Sequence, residues 1–111
     1  MNRSLRKPVR LADPHAGLLR HLEARMAKEG LAAELRESHS ERWASATFTG
    51  ARHRFRFSAA SGGEAGGLDR ISRELGEADF TLPDHIVADI ALVRRRDGAD
   101  FDVEALTVEA R

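Results

Sequence analysis

The residues able to do chemistry are few and scattered. Five histidines, His15, His21, His39, His53 and His85, are the groups that can exchange a proton near neutral pH. None forms an HxxxH or HExxH pair, the spacing that turns two ligands toward one zinc ion from a helix, so a helix-borne zinc site is not expected. There is no cysteine, no Gly-x-Ser-x-Gly and no serine flanked by a plausible base, which leaves nucleophilic catalysis without a candidate. One constellation remains for acid–base or metal chemistry. His85 follows Pro83-Asp84 and precedes Asp89, which period-two alternation places on the same strand face. Its plainer reading is a loop-to-strand junction with solvated polar groups. His53 is expected on the core side of a hairpin, half-buried and hydrogen-bonded.

Arg52-His53-Arg54-Phe55-Arg56-Phe57 interleaves basic and aromatic residues, as nucleic-acid-binding sheets do. Alternation separates the two sets, however. Phe55 and Phe57 are needed in the core, while Arg52, Arg54 and Arg56 share the outer face. There they can meet Asp89, Asp102 and Glu104 as ordinary cross-strand ion pairs, the reading preferred here over an anion or partner surface and over nucleic acid. The stretch Ser61–Gly67 precedes a helix and could cradle phosphate. It lacks the Lys-Ser/Thr of a phosphate-binding loop and carries Glu64, so it reads as a linker. Arg94-Arg95-Arg96-Asp97-Gly98 is a basic hairpin tip.

These residues must be positioned by regular elements. The first dozen residues read as an arm, and residues 13–111 as a single domain. Asp13-Pro14 starts a helix over 14–29, with Leu18, Leu19, Leu22 and Met26 at helical spacing and Gly30 as its stop. A strand is expected over 32–38. A hairpin follows over 43–58, turning at Thr49-Gly50-Ala51-Arg52, with Phe48 facing His53, Ala46 facing Phe55 and Ala44 facing Phe57. A second helix buries Leu68, Ile71 and Leu75 and stops at Gly76, and Phe80 and Leu82 anchor the loop after it. A last hairpin joins 85–95 to 99–109, pairing Leu92 with Val103, Ile90 with Ala105 and Ala88 with Thr107. The fold class is α+β, two helices on one face of a mostly antiparallel sheet. The order is αβββαββ, whose start resembles the double-stranded RNA-binding domain, or αββαββ, as in a permuted ferredoxin-like fold.

The last hairpin is apolar on both faces. Ile86, Ala88, Ile90 and Leu92 are expected in the core, which leaves Val87, Ala91, Val93, Leu106 and Val108 on the opposite side. Either the arm, with Leu5, Val9 and Leu11, covers that patch, or a second subunit does. A homodimer through the open sheet face is the expectation.

Charge is balanced, 18 basic residues against 18 acidic, so the excess that usually marks a duplex-binding protein is missing. No apolar run reaches the ~18 residues of a membrane span, and no signal peptide is visible, so the cytoplasm is the default expectation. The run Trp43–His53, with a capped helix before it and His85-Ile86-Val87-Ala88-Asp89 opening the last hairpin, resembles a family of small bacterial proteins of unknown function. That resemblance implies no activity, cofactor or site residue. The chain is therefore expected to be a non-enzymatic interaction module, self-associating, able to bind a protein partner and requiring no cofactor. The alternative is a small-ligand site or small enzyme built on His85 and Asp89, with His53 nearby.

Overall fold

The computed structural model describes residues 12–59, 66–95 and 99–110. The N-terminal arm, most of the glycine-rich connector and the tip at 96–98 lie outside the described residues. The elements run α1(Pro14–Lys28), β1(Ala33–Ala44), β2(Thr49–Ala59), α2(Gly67–Glu77), β3(His85–Arg94) and β4(Asp100–Glu109). The strands form one antiparallel sheet in the order β1-β2-β4-β3, so the αββαββ alternative is the one observed.

Helix α1 begins as its sequence dictates. The Asp13 carboxylate accepts from the amides of His15 and Ala16, satisfying two of the donors a helix start leaves unpaired. At its end Gly30 takes φ +69°, and the amides of Gly30 and Leu31 reach back to the carbonyls of Ala27 and Met26. Leu31 is thereby folded onto the core. Leu18, Leu22 and Met26 of α1, with Ile71 and Leu75 of α2, pack on Phe55, Phe57, Phe101, Val103 and Ala105 of the two central strands.

The first hairpin departs from expectation. The separate strand at 32–38 and the first arm of the hairpin are one strand, β1, which turns at Ser45–Phe48. Thr49 pairs with Ala44, and Ser38 and Ser40, not Ala46 and Phe48, face Phe55 and His53. Two facts explain the shift. The segment Glu37–Arg42 is exposed and polar on both sides, so it carries no hydrophobic alternation to reveal a strand. Gly50, meanwhile, is a strand residue and not a turn residue. A Cβ there would lie 2.0 Å from the Thr107 carbonyl oxygen and 2.9 Å from the Trp43 ring, so only glycine admits both neighbours.

The second hairpin has the expected pairs Leu92–Val103 and Ile90–Ala105, but a bulge lies between Val87 and Asp89. Ala88 is the extra residue, and Val87 instead of Ala88 faces Thr107. The bulge exchanges the faces before it. Val87 packs on the core, whereas Ile86 is 57% exposed. The expectation of Ile86 in the core and Val87 outside is thus reversed.

Candidate functional site

The helix-free face of the sheet is built from aligned rows. Register places Glu37, Arg56, Asp102 and Val93 side by side, then His39, Arg54, Glu104 and Ala91. The next row holds Glu41, Arg52, Leu106 and Asp89, and the last Trp43, Gly50, Val108 and Ile86. One end of the face is consequently charged and one corner apolar.

The three arginines behave differently. Arg56 Nε donates to Asp102 at 3.1 Å, and Glu37 lies 3.4 Å from its guanidinium. Arg95 approaches the other Asp102 oxygen at 3.4 Å, which satisfies a carboxylate that is itself buried. Arg52 and Arg54 are exposed and make no ion pair among the described residues, although Glu41 and Glu104 stand opposite them. One arginine of the row is therefore structural and two face solvent, each with a carboxylate on one side, Glu104 beside Arg54 and Glu41 beside Arg52.

The apolar corner is larger than the sequence indicated. Trp43 lies across Gly50, next to Val108, and Ile86 completes the row. The Trp43 indole nitrogen is buried with no hydrogen-bond partner among the described residues. Ala91 and Val93 form a second apolar stretch on β3, separated from Ile86 by the exposed Asp89 and joined to it only through Leu106 on β4; Val93 is 43% exposed, and Phe48 stands out from the neighbouring turn. Trp43 and Ile86 were not foreseen here, because the turn and the bulge that place them leave no periodic signal.

On the opposite face the histidines gather where α1 begins. His53 is 3% exposed, and its Nε2 lies 2.8 Å from Thr107 Oγ1. Its Nδ1 lies 2.9 Å from Nδ1 of His15, whose ring stacks on Phe55. With both rings neutral, one proton occupies the Nδ1–Nδ1 contact. The Thr107 hydroxyl reaches the Ala51 carbonyl at 3.4 Å, which suits Thr107 as acceptor from His53 Nε2–H. His53 Nδ1 then accepts from His15 Nδ1–H, and the free lone pair of the chain is His15 Nε2. Burial pushes the His53 imidazole down to about 4, helped by His15 and His85 and opposed by Asp13. Burial also lowers His15. His15 lies three residues before Leu18 on the stripe of Leu18, Leu22 and Met26, a helical spacing that could have found it on the core side.

The His85 constellation is not assembled as expected. His85 is buried and donates from Nδ1 to the Pro83 carbonyl at 2.9 Å, whereas the bulge turns Asp89 to the outer face. Asp84 holds the turn. It sits at φ +64°, the second central position after Pro83, and its carboxylate accepts from the Ala12 amide. A groove of about 370 Å³ runs beneath β3, lined in part by Leu75, Phe80, His85, Val87 and Ile90. Among the described residues no cluster of three or more potential metal ligands occurs, and no helix is long and apolar enough to cross a membrane. Comparison with family models, curated proteins and solved structures gave no match.

Proposed function

We propose that the chain is a non-catalytic interaction module that associates with a second copy of itself on the β3 side of the sheet. The observation that carries this reading is the helix-free surface of β3, where Ile86 and Val93 are exposed beside Ala91, Leu106 and Val108. An antiparallel sheet with a solvated face ordinarily shows polar residues there. Contiguous apolar surface of this kind marks contact sites. Light scattering and sedimentation of the full chain test it. A dimer at micromolar concentration is expected, and Val93→Lys, whose charge faces Asp102 across the ladder within the monomer, should weaken it at least tenfold without unfolding the monomer. A chain that stays monomeric at every accessible concentration refutes the reading.

A second reading, a small-ligand site, draws on the groove beneath β3, which His85 lines, its Nε2 making no hydrogen bond among the described residues. Ligand-observed NMR against a fragment set tests it, supported only by binders that shift Gly76, His85 and Ile90 together.

A further inference from the structure

The two edges of the sheet are defended unequally. On β1 the free edge carries Glu34, Arg36, Glu37, Glu41 and Arg42, and a bulge between Leu35 and Glu37. Charges and bulges are what keep an edge strand from pairing with another chain. On β3, between its end residues His85 and Arg94, the only charge is Asp89, and beyond the bulge Asp89–Arg94 runs in unbroken register with β4. The Arg95 amide donates to the Asp100 carbonyl at 3.0 Å, so residues 89, 91, 93 and 95 turn their backbone groups toward β4. Ile90, Leu92 and Arg94 therefore point their N–H and C=O groups off the edge, where no described residue pairs with them.

We propose that two copies join edge to edge, β3 against β3, antiparallel about a two-fold axis at Leu92, extending the four-stranded sheet across both chains. This rests on the self-association reading and specifies where the copies meet. Opposed residues in an antiparallel pair share a face, so only axes that match outer with outer residues are allowed. Among these, an axis at Leu92 sets Asp89, the strand's one carboxylate, opposite Arg95 of the second copy, and does so twice by symmetry. It also sets Ala91 opposite Val93, covering an exposed apolar side chain, and lets Leu92 pair with its own counterpart through free N–H and C=O groups. An axis at Ala91 sets Asp89 against Val93 and leaves the charge unmatched. Stacking the open faces instead would cover Glu37, Arg56, His39, Arg54, Glu41 and Arg52 and strip these charges of water. Edge pairing covers none of them.

Amide hydrogen exchange by NMR on the intact chain, at low and high concentration, tests this directly. The amides of Ala91 and Val93 are protected by β4 at any concentration. Those of Ile90, Leu92 and Arg94 should exchange freely in the monomer and at least about tenfold more slowly in the dimer. Asp89→Arg, which sets like charges opposite each other, should weaken the dimer about tenfold, and Asp89→Asn, which only removes the pair, should weaken it less. A dimer whose Ile90, Leu92 and Arg94 amides still exchange freely overturns the edge geometry and leaves self-association standing. A strict monomer overturns both.

Discussion

Acidification below pH ~6.5 should destabilise this protein, chiefly through His53. The imidazole is 3% exposed, and it is held between His15 Nδ1 and Thr107 Oγ1. One proton is already shared in the contact with His15. A charge on His53 would lose its hydration in this buried position, beside the His15 and His85 rings and with Asp13 acting in its favour. These effects lower its pKa from 6.5 to about 4. The sign follows from proton counting. Between those values the unfolded chain holds a proton that the folded chain does not, so stability is complete above pH ~6.5 and falls as pH drops toward ~4. At 1.36 kcal/mol per pH unit the loss is about 3 kcal/mol, a large share of a small domain's total. His15, lowered in the same direction, adds to it. Urea unfolding between pH 4.5 and 7.5 measures the slope, and NMR titration of the His53 ring gives its pKa independently. The His53→Gln variant, which cannot titrate, should lose most of the slope in this window. A His53 pKa near 6.5, or an unchanged slope in His53→Gln, refutes the reasoning.

The close approach at Gly50 makes it the least replaceable glycine of the central strands. Gly50→Ala forces apart β4 and Trp43 and should cost about 2–4 kcal/mol in urea unfolding. Within the arginine row, Arg56→Met leaves the buried Asp102 carboxylate with Arg95 alone and should lower the urea midpoint clearly, whereas Arg54→Met, which breaks no ion pair among the described residues, should leave it nearly unchanged.

Elements with an amphipathic face or an explicit cap were legible in the sequence, and those shaped by backbone proximity were not. Asp13-Pro14 and Gly30 placed α1 to within a residue of its ends, since cap chemistry is local. Leu92–Val103 and Ile90–Ala105 followed from alternation beyond the bulge. Gly50 misled because a glycine between two alternating runs signals a turn, whereas here it answers the Thr107 carbonyl, more than fifty residues away. The candidate polar residues were named individually, His53, His85 and Asp84, but the pairing was not. His53 meets His15 across the helix–sheet interface, and no spacing rule predicts that distance.

The single residue Ala88 links these threads. Were β3 a regular strand, His85 and Asp89 would share a face, Ile86 would enter the core, and the acid–base constellation would be feasible. The extra residue reverses the faces of everything before it. His85 and Val87 turn inward and complete the layer beneath β3, at the cost of exposing Ile86 beside Trp43 and Val108. The same bulge ends the regular ladder at Asp89, so the undefended part of the edge is confined to the six residues Asp89–Arg94. A bulge that blunts half an edge while leaving the other half regular restricts a partner strand to the few registers the regular half admits. It is this restriction, more than the apolar area itself, that distinguishes a specific contact from a merely exposed strand.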